Sequence, residues 1–273
     1  EKMVISYRDG GNSDTSKSIV GTVSGTSISF GSATAFSGAF GYFSDSAYDS
    51  TNNRIVVVWT HINDSSKGKA AVGNLVANQI VFGSEVVFHS NTTGEFNRVS
   101  FDPTSGKVVV AYVDEADSNK GKALVGTVSG TSISFGSEAI FHNAATYRNS
   151  LVYDPTSNKT LIAYSDAGSS NGGTFVMATV SGTSISFGSE AVFEAGEAAN
   201  IATTYDSNND RVVIVYEDAT DSDQGSAVVV STAASVSNIT SENYIGMSRG
   251  ALNTLTQSEA TGSDVEFDNT DVV

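Results

Sequence analysis

Cysteine is absent from the 273-residue chain and proline occurs only twice. No disulfide framework and no thiolate metal site can therefore exist. Charged residues are scarce, at 16%. Long hydrophobic runs are missing as well. The longest, such as Arg54-Ile-Val-Val-Val-Trp59, span a few residues, far short of a transmembrane helix. The opening Glu1-Lys2-Met3 carries no signal-peptide pattern. Positive charge is also in deficit: 30 acidic residues face 14 basic ones, a net charge of −16. Such a surface repels nucleic acid and anionic membranes and suits a soluble extracellular setting. Glycine, at 26 residues, is plentiful, and 39% of the chain is hydrophobic, enough for a core.

What is present is repeated. The phrase Val-Gly-Thr-Val-Ser-Gly-Thr-Ser-Ile-Ser-Phe-Gly-Ser at 20–32 recurs whole at 125–137, with a shortened copy at 178–189 and a diverged one at 72–84. Its Gly falls at Gly31, Gly83, Gly136 and Gly188, spaced 52, 53 and 52. A second anchor is an apolar strand ending in Tyr7, Trp59, Tyr112, Tyr164 or Tyr216, spaced 52, 53, 52 and 52. A third is an aromatic-Asp pair before a turn: Tyr48-Asp49, Phe101-Asp102, Tyr153-Asp154 and Tyr205-Asp206. Three anchors with one period define the architecture.

Each unit reads as four β-strands without helix, since β-branched and aromatic residues fill runs punctuated by Gly, Asn, Asp and Ser. In the third unit the strands are 96–102, 107–114, 122–128 and 132–142, joined consecutively by short turns into an antiparallel meander. The link to the next unit reads as longer and less regular. Tight turns do not connect parallel strands, which excludes a solenoid of parallel coils. Four-stranded meanders near 50 residues long predict a β-propeller. Five copies of the second strand predict five blades, with units at roughly 1–38, 39–90, 91–143, 144–195 and 196–267. The chain opens at a second strand, which predicts excision from a longer chain. The run 262–267 echoes 188–193 and is expected as the last unit's fourth strand. The tail 268–273 is expected to pair beside residues 2–8 and close the ring, hiding two sheet edges. An irregular insertion, 231–260, interrupts the fifth unit.

The phrases "VGTVSGTSISFGS" and "YDSNND", together with "ITSENYIGMSRGA", resemble tandem propeller-repeat proteins of marine bacteriophages and bacteria that are tail-fibre-like. The resemblance covers most of the chain. It implies a virion, extracellular or cell-surface location. Five-bladed lectins offer an architectural analogy without shared motifs.

Candidate sites follow from the propeller frame. The second-to-third-strand loops and the links between units are expected on one face. Asp9, Asp114, Asp166 and Asp218 begin equivalent acidic loops, with His61 in the fifth place. They form either a carboxylate ring at the channel mouth, suited to Ca²⁺, or a set of turn caps. Repetition in four units favours caps, and no loop carries an Asp-x-Asp-x-Asp-Gly pattern. Asp49, Asp102, Asp154 and Asp206 read as turn residues. The links differ from one another: Phe40, Tyr42 and Phe43; Phe96, Asn97 and Arg98; Tyr147, Arg148 and Asn149; then a plain Ala199-Asn200. Aromatic faces beside amides and guanidinium groups suit sugar recognition. The competing reading packs these aromatics between units. Catalysis has weaker support. His89 and His142 are repeat equivalents, there is no nucleophile elbow or metalloprotease motif, and Glu95, Glu197 and Glu217 read as solvated loop charges. The expected function is a non-catalytic binding module for a cell-surface glycan or partner protein. The alternatives are a purely structural virion component and a five-bladed glycoside hydrolase.

Overall fold

A computed structural model describes residues 2–11, 14–230, 236–239, 256–257 and 265–266. The closing tail 268–273 and most of the insertion 231–260 lie outside the described residues. The protein is all-β, and its strands form antiparallel sheets that curl as a half-barrel. The third unit shows the pattern. Arg98–Asp102 pairs with Lys107–Asp114, which pairs with Lys120–Ser129. The far half of that third strand pairs with Ser132–Phe135, and its near half with the start of Ala139–Asp154. The fourth strand is thus split. The split falls at the repeated glycine, whose N–H bonds to the third strand, as in Gly136 N to Val125 O at 2.9 Å.

That glycine is a steric requirement. A Cβ on Gly31, Gly83 or Gly136 would overlap the carbonyl of Asn78, Thr131 or Thr183, in the tight turn of the following unit. The anchor recognised in the sequence is therefore where one unit's kink meets the next unit's turn.

The link between units differs from expectation. In three links there is no loop: Thr34–Asp49, Ala139–Asp154 and Ala191–Asp206 are single 16-residue strands. Each serves as fourth strand of one unit and first strand of the next. The second link breaks between Val86–Thr92 and Arg98–Asp102. A bulge lets one strand change partners. Tyr42 opposes Thr60 and Asp45 opposes Val58, so two residues face Trp59. The same slip occurs at Tyr147/Ser150 and Ala199/Ala202. At the three bulges and at the equivalent position of the broken second link, Phe43, Arg148, Asn200 and Phe96 all have positive φ (51°, 56°, 47° and 65°). φ is positive at all four equivalent places while the side chains differ.

The core lies between units, because each sheet has two apolar faces. Val56 and Val58 of the second unit pack with Val108, Val110 and Tyr112 of the third. Val109 and Ala111 meet Ile162 and Tyr164 of the fourth, and Leu161 and Ala163 meet Val212 and Ile214 of the fifth. Each seam carries a ring pair, such as Phe88 with Tyr112 at 5.5 Å and Phe141 with Tyr164 at 5.2 Å. At the ends of the stack the same positions are uncovered: Met3 and Ile5 are 40% exposed and Val215 is 43% exposed. In the fifth unit Val236–Ile239 pairs with Ala227–Val230 of the third strand. Of the run 262–267, Val265–Glu266 is described, and it pairs with Thr256–Gln257.

Candidate functional site

The second-to-third-strand loops and the unit links do gather at one end of the molecule. Three of the loops form a single 3₁₀ turn, Ile62–Asp64, Glu115–Asp117 and Ala167–Ser169. The residue before each turn is His61, Asp114 or Asp166. Asp114 accepts from Ala116 N (3.0 Å) and Asp166 from Gly168 N (2.8 Å). Asp218 accepts from Thr220 N and Asp221 N, and Asp9 from Gly11 N. Each of these four carboxylates caps its own loop, as Asp does where backbone N–H groups lack partners. His61 makes no side-chain cap and is buried. Among the described residues no three acidic or histidine side chains converge as a cation would need. Asp49, Asp102, Asp154 and Asp206 likewise accept turn N–H groups, at the opposite end.

The link residues fall into two adjoining groups. In the first, four rings form a ladder: Phe40 to Tyr42 at 4.9 Å, Tyr42 to Phe43 at 5.4 Å, and Phe43 to Phe96 at 6.1 Å. The last step crosses from one unit to the next. Guanidinium groups lie at both ends, with Arg8 5.4 Å from the Phe40 ring and 4.4 Å from Tyr42, and Arg98 5.2 Å above Phe96. The rings are half-buried, so they both pack between units and keep faces at the surface. In the second group, a cleft of about 410 Å³ is lined by Glu95, Phe96, Glu115, Asn119, Tyr147 and Arg148, among others. Phe96 belongs to both. Tyr147 is 41% exposed.

The other predicted residues take supporting places. Asn97 is buried and donates through Nδ2 to Thr60 Oγ1 at 2.7 Å, stitching two units. Asn149 is buried, with neither amide atom partnered by protein. Arg148 pairs with Glu197 at 3.1 Å, and Asn200 donates to Glu217 at 2.6 Å. Two carboxylates read as solvated charges are thus bound to the links.

Two features escaped the sequence reading. On the first strands, Asp45 Oδ2 accepts from Val99 N (3.0 Å) and Ser150 Oγ from Thr203 N (3.0 Å). One unit's side chain thereby satisfies the next unit's backbone. Burial raises the Asp45 carboxyl above its ordinary value, against the opposing pull of the Val99 N–H and the Arg98 charge. The second feature is a polar cluster at the seams. His89 lies between Glu138 (2.6 Å) and Asp114 (3.2 Å), and His142 between Glu190 (2.7 Å) and Asp166 (3.1 Å). Both carboxylates belong to the following unit. Burial and the neighbouring carboxylates push the Tyr112 and Tyr164 phenols well above their usual range. The signal was legible as Phe-His at 88–89 and 141–142, each about 49 residues before Gly-Ser-Glu. These histidines are enclosed and serve the seam. No protein-family model matches the chain, and no curated protein matches it.

Proposed function

We propose that this protein is a non-catalytic binding module of a phage tail, fibre or surface assembly, recognising a cell-surface glycan or a partner protein at its link end. The observation that carries the reading is the cleft, which joins Phe96 of one link to Tyr147 and Arg148 of the next beside the Asn119 amide. Flat apolar faces, planar donors and an amide in one concavity are what sugar rings with their hydroxyl rims require. The virion or extracellular setting rests on the resemblance of the repeat phrases and on the acidic, cysteine-free composition.

We further propose that the stack closes as a five-bladed propeller. Every internal seam joins one face of a unit to the opposite face of the next. The end faces, exposed Met3 with Ile5 and half-buried Val213 with exposed Val215, are the two halves of that same seam. Packing one against the other removes both from water.

A glycan array followed by titration of Tyr147→Ala and Arg98→Ala tests the binding reading. Hits weakened at least about tenfold by either change support it; no hits, or hits indifferent to both, refute it. A second reading has one observation in its favour: Glu95 and Glu115 line the same cleft, and a glycoside hydrolase works with two carboxyl groups roughly 5–10 Å apart. Release of reducing sugar from a bound polysaccharide, abolished in Glu95→Gln, would establish that alternative.

A further inference from the structure

The cations at the link end are almost all neutralised. Lys17 pairs with Asp9, Lys67 and Lys69 with Asp64, Lys120 and Lys122 with Asp117, and Arg148 with Glu197. Arg8 has Asp14 at 3.6 Å. Arg98 is the exception: among the described residues it forms no ion pair, and its one hydrogen bond runs from Nη1 to the carbonyl of Asn97 at 3.2 Å. It is half-buried on the Phe96 ring. Asp45 is the carboxylate that acts on it electrostatically, but Asp45 spends its oxygens on the Val99 and Ser46 N–H groups. A guanidinium taken partly out of water without a bound anion is costly to keep. Arg98 retains its Nε and Nη2 edge, whose parallel N–H groups match the two oxygens of a carboxylate.

We propose that the Phe43–Phe96–Arg98 corner selects carboxylate-bearing sugars, with the ring of a uronic- or sialic-acid residue on the aromatic faces and its carboxylate on the free edge of Arg98. This rests on the glycan-binding reading and narrows it to one chemical class. Neighbouring sugars of the same chain would continue into the cleft, because Phe96 lines both. Phe43 and Phe96 hold positive φ. That conformation is costly for a bulky residue, and the same bulge in the fourth link carries a plain Asn200. Side chains large enough to make a platform therefore stand where the backbone gains nothing from them.

The test uses an array of uronate- and sialate-bearing glycans printed beside carboxyl-reduced copies of the same sugars. The acidic forms should bind about 10- to 100-fold more tightly, the worth of a charged hydrogen-bonded pair. Arg98→Gln should abolish that preference, so that acidic and reduced forms bind alike. Arg98→Lys, which keeps the charge but not the fork, should keep only part of it. Phe96→Ala should weaken acidic and reduced forms alike. Melting curves confirm that each variant folds. Equal binding of acidic and reduced forms overturns the proposal, as does a preference that survives Arg98→Gln. Binding confined to neutral sugars overturns this inference while leaving the glycan reading intact, and acidic peptides bound in place of sugars overturn both.

Discussion

Ring closure can be decided by a double-mutant cycle between Ile5 and Val215. Ile5 occupies the position of Val57, Val110, Ile162 and Ile214, each fully buried at an internal seam. Val215 occupies that of Val58, Ala111 and Ala163, buried likewise. In the open arc Ile5 is 40% exposed and Val215 43% exposed, so truncating either to Ala should cost no more than about 0.5 kcal/mol. In a closed ring both become core residues, and each truncation should cost about 1–4 kcal/mol. For a chain of this length each kcal/mol lowers Tm by roughly 2–4 °C. Internal packing places Val58 and Val110 in one cluster. Ile5 and Val215 should then touch across the seam, with a coupling energy of roughly 0.5–2 kcal/mol. Chemical denaturation of wild type, Ile5→Ala, Val215→Ala and the double variant supplies all four corners. Coupling below about 0.3 kcal/mol with negligible single effects would refute closure. Repeating the measurement over a hundredfold range of protein concentration separates closure within a chain from head-to-tail association, because only the latter becomes more stable with concentration.

Three further outcomes are expected. Gly121→Ala forces a methyl against the Phe141 ring, which is itself held on Tyr164. It should destabilise the fold by about 1–3 kcal/mol, read as a lower denaturation midpoint. Asp114→Asn removes the shortest of the ion pairs of Lys122 (2.6 Å), which keeps Asp117 at 3.1 Å, and weakens a 3₁₀ cap, at a cost of about 1–3 kcal/mol at neutral pH. Burial raises the Asp114 carboxyl, but the Lys122 hydrogen bond and the charges of His89 and Lys122 outweigh it and hold the pKa below its ordinary value. A lowered folded pKa means stability that is complete above the unfolded value near 4 and lost as pH falls through the folded one. The wild type should therefore weaken on acidification below about pH 4, and Asp114→Asn should show a flatter profile there; parallel profiles would contradict the assignment. Asn200→Gly should leave stability unchanged or raise it by up to about 1 kcal/mol, since Gly adopts positive φ freely and Asn200 contributes one exposed bond to Glu217. A loss beyond about 1 kcal/mol would show that this bond matters more than the backbone.

The strands were legible because their pattern is local. Lys107–Asp114 alternates its apolar side chains toward two seams, and Tyr153-Asp154-Pro-Thr marks a turn by composition alone. The turn role of Asp114 was legible for the same reason: an Asp two residues before an unpaired N–H is a short-range device. The continuous strand Ala139–Asp154 was not. Polar residues such as Asn143, Asn149 and Ser150 interrupt its apolar alternation, and the bulge that lets it pair with two different strands leaves no compositional mark. Arg98 was marked in the sequence as a planar donor beside an aromatic ring. Its isolation from carboxylates was not visible there, because that depends on Asp45 being turned to a backbone group 54 residues away. Contacts between units join residues about 50 apart, and their register appears only when the units stack.

The contrast between seams and links bears most directly on what the protein does. At the seams the repeat is enforced by sterics and charge: the glycine kink under the next unit's turn, the paired rings, and the histidines between carboxylates. At the equivalent position of each link φ is positive four times over, yet the side chains are Phe, Phe, Arg and Asn. Glycine would relieve a conformational cost of about 1–2 kcal/mol at a bulky residue there. The chain has 26 glycines and uses none of them at these four places. Packing alone does not account for this, because Asn200 is exposed and the stack continues past it. Side chains held at a conformational cost, differing from unit to unit and gathered at one end beside a cleft, fit a surface built to meet another molecule rather than to complete the fold.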